Sequence, residues 1–239
     1  QAYLDIDSII KIAKDAKVDA IHPGYGFLSE SPELAEQCEK NDITFIGPSK
    51  EILKRFGNKT EAKKVAQDAN VKTVPSVLVS KENIKTVEKE VDKIGYPVIV
   101  KASWGGGGRG MRVVYSSKEL MDQITTAQSE SLKAFGKDEV FIEKFLEDAA
   151  HIEVQILGDK HGNILHLYER DCSLQRRHQK IIERAPAHFL KEEMRKNICD
   201  AAIKIAKEVN YFGAGTVEFL FDKKTGEFYF IEVNPRIQV

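Results

Sequence analysis

Four consecutive glycines, Gly105, Gly106, Gly107 and Gly108, sit between two runs rich in β-branched residues, Pro97-Val-Ile-Val-Lys101 before them and Met111-Arg-Val-Val-Tyr115 after. Ordering glycine costs more backbone entropy than ordering any other residue, so such a run belongs in a turn or loop, not inside a helix or strand. Strand, glycine loop, strand therefore reads as a hairpin spanning roughly 97–115. Glycine also lets backbone N–H groups reach anionic oxygens with no Cβ in the way. Lys101 ends the first strand, and Arg109 and Arg112 follow the glycines, so cations surround a loop shaped to hold a polyphosphate. A mobile surface loop is the plainer alternative; the flanking strands and cations favour the nucleotide. The segment is not a P-loop, because its lysine precedes the glycines. Nor is it a dinucleotide fingerprint, because a strand and not a helix follows Gly110. A glycine hairpin over phosphates has the character of a lid.

The rest of the chain alternates helical and extended signals. Helices are expected over 7–17, from Ser31-Pro32-Glu33 onward, and over 49–56, 59–69, 82–94, 119–134 and 191–209. Ser31 is a cap and Pro32 fits the first helical turn. Strands are expected over 18–21, 43–46, 74–79, 140–145, 151–157 and 164–170. His22-Pro-Gly-Tyr25-Gly26 is a loop, and Asp159-Lys-His-Gly-Asn163 a hairpin turn. Residues 216–222 and 228–233 form a last hairpin across Lys223-Lys-Thr-Gly226. Strand, loop, helix, strand near the start is the rhythm of a parallel α/β unit. Boundaries near Pro75 and Lys144 would set the glycine hairpin apart as a lid.

Bulk properties narrow the function. At 239 residues the chain can bury a substantial core, and its net charge of −1 offers no field for nucleic acid or membrane surfaces. No apolar run nears the roughly 20 residues of a membrane span, and no signal-peptide pattern opens the chain. Cys38, Cys172 and Cys199 lack metal or redox spacing, which suggests reduced thiols in a cytosol-like compartment. The chain opens on Gln1 and stops at Val239 within an apolar segment, so it reads as a piece of a longer protein.

Two constellations remain. In Glu169-Arg-Asp-Cys-Ser-Leu-Gln175-Arg-Arg-His178-Gln-Lys180, cations crowd a polar stretch that is followed at once by Ile181-Ile182. If this stretch is extended or a loop, Gln175, His178 and Lys180 can line one anion or nucleotide site; a solvated basic surface is the alternative. Cys172 within it is either a thiol acidified by its arginines or, preferably, a structural residue. Glu218 and Glu232 lie on the two strands of the last hairpin among apolar neighbours, with Asn234 close behind. Carboxylates buried there need a cation, and an all-oxygen set suits Mg²⁺ or Mn²⁺; otherwise both turn to water. Lysine, glycines, cationic strip and carboxylate pair together suit ATP-dependent phosphoryl transfer.

Four segments resemble one family in order: His22-Pro-Gly-Tyr-Gly-Phe-Leu-Ser-Glu30, Lys101-Ala-Ser-Trp-Gly-Gly-Gly-Gly-Arg-Gly-Met-Arg112, the strip 169–180, and Phe230-Ile-Glu-Val-Asn-Pro-Arg-Ile-Gln-Val239. The family is the biotin carboxylase domain of biotin-dependent carboxylases, and the resemblance covers the whole chain. It implies an α/β (α+β) ATP-grasp fold with a glycine-rich lid at about 76–144. Residues 1–57 would belong to an N-terminal parallel α/β subdomain and 58–239 to the ATP-grasp domain. The implied chemistry is attack of bicarbonate on the γ-phosphate of ATP to give carboxyphosphate, whose CO₂ passes to biotin. By the same resemblance Lys59 and Lys101 contact phosphate, and Gly105, Gly106, Gly107 and Gly108 form the loop that closes over ATP. Glu143 and Lys144 flank the adenine, and His151, Gln175 and His178 belong to the nucleotide site. Lys180 lies near the γ-phosphate, and Glu218, Glu232 and Asn234 hold the metal. Arg236, Gln238 and Val239 bind bicarbonate, while Tyr25 and Gly26 lie near biotin. Lys180 and Arg236 would be catalytic.

Partners implied are bicarbonate, a biotinylated carrier domain, a carboxyltransferase domain and a further copy of the chain, in the cytoplasm or mitochondrial matrix. The family's motif continues past Val239 into a glutamate that serves as the bicarbonate base and, later, an arginine that steadies the biotin enolate. These 239 residues alone are therefore expected to bind MgATP weakly and turn over little. Val154–Asn163, Glu183–Ala187 and 209–220 resemble members that carboxylate pyruvate more than those acting on acetyl-CoA or propionyl-CoA. Other ATP-grasp ligases lack the Gln-Arg-Arg-His-Gln-Lys strip, and a non-catalytic module would be expected to lose Lys101, Glu218 or Glu232.

Overall fold

The computed structural model describes residues 2–80, 83–102, 111–136, 138–176 and 179–239. Strands β1 (Ala20–Ile21) and β2 (Thr44–Phe45) pair in parallel, as the opening α/β rhythm predicts. Helices α1 (Ile6–Asp15) and α2 (Pro32–Lys40) pack with them around Ile10, Ala13, Leu34, Cys38 and Ile43. Asp5 and Ser31 accept hydrogen bonds from the Ser8 and Leu34 N–H groups, capping donors that a helix start leaves unpaired. Helices α3 (Lys50–Gly57) and α4 (Lys59–Asp68) follow.

A four-stranded antiparallel sheet comes next, in the order β3 (Ser76–Val79), β6 (Val140–Lys144), β4 (Val98–Ala102), β5 (Arg112–Val114). Val98 pairs with Val114 and Val100 with Arg112, so the strands flanking the glycines are the two arms of one hairpin. The glycines expected to cover the phosphates, Gly105, Gly106, Gly107 and Gly108, themselves lie outside the described residues. Helices α5 (Val87–Ile94) and α6 (Ser117–Phe135) close this sheet over a core of its own, including Val91, Val100, Leu120, Ile124 and Ile142. Helix α5 starts later than the expected 82. Asn83 accepts from the Ser80 N–H and donates to the Leu78 carbonyl, and this local bonding offers the backbone an alternative to a helical turn.

The largest layer is a five-stranded antiparallel sheet ordered β11 (Phe228–Asn234), β10 (Gly213–Asp222), β7 (Ala149–Gly158), β8 (Ile164–Arg176), β9 (Gln179–Arg184). The described parts of the cationic strip are thus extended, 169–176 at the end of β8 and 179–180 at the start of β9. Side chains alternate along a strand, so each strand is split between two faces. Ile152, Val154, Ile156, Val217, Phe219, Phe230 and Val233 turn to one face and are buried against helix α7 (Glu192–Glu208), α3 and α4. The opposite face collects polar residues. Glu153 stands opposite Glu218, and Gln155 opposite Thr216.

Candidate active site

The register of the last hairpin places Glu218 directly opposite Glu232 and Thr216 opposite Asn234. The pairing shifts just after Glu218, a bulge of the kind that re-aims side chains beside sites. Glu218 is buried rather than turned to water. One of its oxygens accepts from Lys180 Nζ at 2.5 Å and from Asn234 Nδ2 at 2.6 Å; the other meets His151 Nε2. Burial opposes its charge, but His151 and then Lys180 hold the carboxyl well below its ordinary range. Glu232 goes the other way: burial and then the Glu218 charge push its carboxyl up, with Lys59 the first of the cations to offset them. Two register-paired carboxylates, one of them short of positive charge, fit a hard divalent cation such as Mg²⁺ or Mn²⁺. The Asn234 amide turns its Nδ2 to Glu218 and its Oδ1 to Arg236.

Lys180 is held between Glu218 and Glu153. Burial disfavours its ammonium, yet Glu218 and Glu153 together raise it above its usual value. Gln175 donates to the Cys172 carbonyl at 2.9 Å and bonds His151 Nδ1 at 2.9 Å, fixing the imidazole against Glu218. Of the three residues that the sequence pattern set on one site, Gln175 reaches Glu218 through His151 and Lys180 meets it directly, while His178 lies outside the described residues. Cys172 is fully buried, and burial followed by the charge of Glu153 pushes its thiol up. The acidified-thiol reading is therefore corrected in favour of the structural one: burial and the Glu153 carboxylate outweigh Lys180, the cation that acts on the thiol. Glu153, Cys172 and Glu183 cluster within 4.8 Å of one another, but Lys180 and Arg170 already balance both carboxylates.

Lys101 and Lys63 converge on Glu143, the first at 2.5 Å. Burial would raise the Glu143 carboxyl, but Lys101 and then Lys63 hold it low. Its side chain is thus committed to lysines. Lys144 donates through Nζ to the Gly95 and Tyr96 carbonyls, at 3.0 and 2.9 Å, and through its backbone N–H to the Pro75 carbonyl at 2.9 Å. Lys59 is the first residue of α4, behind the Asn58 cap. Lys101 lies one residue before the end of β4 and reaches Glu143 on the neighbouring β6, while Gly105, Gly106, Gly107 and Gly108 beyond it are not among the described residues.

At the far end of the polar face, Arg236 pairs with Glu30 at 2.8 Å and reaches Asn234 Oδ1 at 3.4 Å. Gln238 donates to Thr216 Oγ1 at 3.0 Å. With Val239, Gln155, Arg170 and Glu183 it lines a cleft of about 320 Å³. Tyr25 is exposed, and Gly26 has φ 76°, a conformation that favours glycine. Glu153, Lys63 and Arg170 were not legible as site residues, because each looks like an ordinary charge in a strand or helix until neighbouring elements are brought beside it.

The chain matches the family described as Carbamoyl-phosphate synthase L chain, ATP binding domain over residues 58–239, and Biotin carboxylase, N-terminal domain over residues 1–53. Pyruvate carboxylase of Bacillus subtilis is 56% identical over 238 residues, covering 100% of this chain and 21% of that protein. Mitochondrial methylcrotonoyl-CoA carboxylase subunit alpha of Arabidopsis thaliana is 48% identical over 238 residues, 100% of this chain and 32% of that one. A biotin carboxylase–beta-gamma-ATP complex from Campylobacter jejuni superposes with TM-score 0.91 at 49% identity, covering 100% of this chain and 53% of that one. The biotin carboxylase domain of Hydrogenobacter thermophilus 2-oxoglutarate carboxylase, in complex with MgADP, ADP and bicarbonate, gives 0.89 at 46%, over 99% of this chain and 52% of that one.

A five-stranded sheet with one polar face, a second sheet carrying a hairpin, and a parallel α/β unit ahead of both define an ATP-grasp protein. The chain belongs to the biotin carboxylase family. It spans about a fifth of the length of the pyruvate carboxylases it matches and about half of the biotin carboxylase structures. Among the described residues no helix is long and apolar enough to cross a membrane.

Proposed function

We propose that this chain forms the ATP- and bicarbonate-binding part of a biotin carboxylase, serving the first half-reaction of a pyruvate carboxylase. The observation that carries this reading is the Glu218–Glu232 register pair with Lys180 wedged beside it on one polar sheet face. Residues 1–57 contribute the N-terminal subdomain, 58–239 the ATP-grasp domain, and about 76–144 the lid. The lid's separate core supports a body that moves over the nucleotide.

In this reading Lys59, Lys101 and the backbone of Gly105, Gly106, Gly107 and Gly108 bind the phosphates, and Glu143 and Lys144 border the adenine. Glu218, Glu232 and Asn234 hold Mg²⁺ or Mn²⁺, which when bound neutralises charge on the transferring phosphoryl group. Lys180 places an ammonium where the γ-phosphate gains charge, and His151, Gln175 and His178 complete the nucleotide site. Arg236, Gln238 and Val239 orient bicarbonate in the cleft, with Tyr25 and Gly26 on the biotin side. A biotinylated carrier domain, a carboxyltransferase domain and a second copy complete the enzyme, in bacterial cytoplasm or the mitochondrial matrix.

The test is bicarbonate-dependent ADP release by the full-length protein with alternative acceptors. Stimulation by pyruvate supports the reading. Stimulation by an enoyl- or acyl-CoA that is itself consumed supports the second reading, a CoA-ester carboxylase, which the 48% identity to the methylcrotonoyl-CoA enzyme keeps open. No bicarbonate dependence would overturn both.

A further inference from the structure

The polar sheet face carries a line of alternating charge that reaches beyond the groups assigned above. Glu153 is fully buried, and its two oxygens are divided between two cations: Oε1 accepts from Arg170 Nε and Oε2 from Lys180 Nζ. Arg170 is fixed in turn. Its Nη1 and Nη2 both donate to Gln155 Oε1 at 3.2 Å, and Glu183 Oε2 lies 3.6 Å from its Nε. The register explains the geometry, since Arg170 stands opposite Glu153 across β7 and β8. The line runs Glu183, Arg170, Glu153, Lys180, Glu218. It links the cleft bordered by Gln238 to the carboxylate pair.

We propose that Arg170 is a positioning residue for Lys180, acting through Glu153. The inference rests on the reading of Lys180 given above. A buried carboxylate deprived of one of two cations turns both oxygens to the other. Without Arg170, Glu153 would close on Lys180 with both oxygens and draw the ammonium away from Glu218 and the phosphate beside it. A planar guanidinium is suited to this place, because it spans Glu153 and Gln155 at once where an ammonium is a single point of charge. Lys180 sits on β9, next to the β8–β9 connection, so these contacts fix the direction of a long side chain from outside its own strand.

The experiment uses the full-length carboxylase and measures bicarbonate-dependent ATP cleavage. Arg170→Gln is expected to lower kcat about tenfold or more, with KM for ATP changed less than about twofold, as a group outside direct substrate contact does. In a Glu153→Gln background the same change is expected to add almost nothing, because the path to Lys180 is already cut. Unchanged kcat, or full additivity with Glu153→Gln, would overturn the proposal. A rise in KM for bicarbonate at constant kcat would overturn it too, by making Arg170 a direct ligand of the cleft's occupant. Should Arg170→Gln fail to fold, Arg170→Lys carries the test: lowered kcat with unchanged KM for ATP supports it, and wild-type kcat refutes it. Lys180→Gln, run in parallel, separates the two levels. Activity retained there would sink the assignment of Lys180, whereas activity lost there but kept in the Arg170 variants sinks only this inference.

Discussion

Glu153 balances Arg170 and Lys180 at once, and each of these cations keeps some contact with water. Removing the only partner of a buried charge costs about 3–5 kcal/mol. Partial hydration of both cations lowers that, so Glu153→Gln should cost about 1–3 kcal/mol, read from urea denaturation. Glu218→Gln should weaken Mn²⁺ binding about tenfold or more by titration calorimetry, with little effect on folding if Glu153 still holds Lys180. Glu143 makes the pH case. Burial works to raise its carboxyl, but Lys101 and then Lys63 outweigh burial and hold it below its ordinary 4.5. The stability this pairing gives is fully present above that value and is lost as pH falls through the lower, folded one. The gap in stability between the parent and Glu143→Gln should therefore be widest above 4.5 and narrow as pH falls below it. A gap that stayed constant with pH would show that Glu143 does not sense its lysines.

At the scale of elements, the turn from α7 into β10 fixes where the strand that carries Glu218 begins. A Cβ on Gly158 would collide with the Tyr211 carbonyl oxygen, and one on Gly215 with the Tyr211 hydroxyl, which itself donates to the Ala214 carbonyl. Backbone cannot step aside as a side chain can, so Gly158→Ala should be the more damaging of the two. A loss of about 1–3 kcal/mol is expected from overpacking, measured by thermal unfolding. Glu169 plays a similar part from the apolar side of the sheet. It accepts from the Ala187 N–H at 3.0 Å and Arg195 Nε at 2.8 Å, tying the start of α7 to β8.

Across the whole molecule, the described residues form three hydrophobic clusters, one for each sheet. Fully buried Ile124 belongs to the cluster of the four-stranded sheet alone. Ile124→Ala should cost that layer about 2–5 kcal/mol while amides of β7 and β10 keep their hydrogen-exchange protection. Equal loss of protection in both sheets would mean that the clusters unfold as one. Arg236 joins the N-terminal unit to the end of β11 through Glu30, a partly exposed pair worth well under about 1 kcal/mol. Glu30→Gln should accordingly leave the melting temperature nearly unchanged while altering KM for bicarbonate in the full-length enzyme.

Periodicity and punctuation in the sequence determined the elements. The β-branched runs around four glycines mark the arms of a hairpin, the 191–209 apolar rhythm marks a long helix, and Thr-Gly in 225–226 marks the last turn. These signals are local, a matter of backbone sterics and side-chain period, so they survive without neighbours. The apolar neighbours of Glu218 and Glu232 marked two carboxylates on adjacent strands, either holding a cation or turned to water; the structure buries Glu218 and leaves Glu232 half-buried opposite it. What tertiary structure alone decided was partnership. Lys63 lies 80 positions from Glu143, Lys180 lies 27 from Glu153, and Arg236 meets Glu30 from the opposite end of the chain. The direction of the Cys172 thiol's shift was decided in the same way, by burial beside Glu153 and not by the arginines next to it in sequence. A charge carries no sequence mark of the charge it will meet. Only the strand register, fixed by burying the other face of the sheet, brings the two within reach.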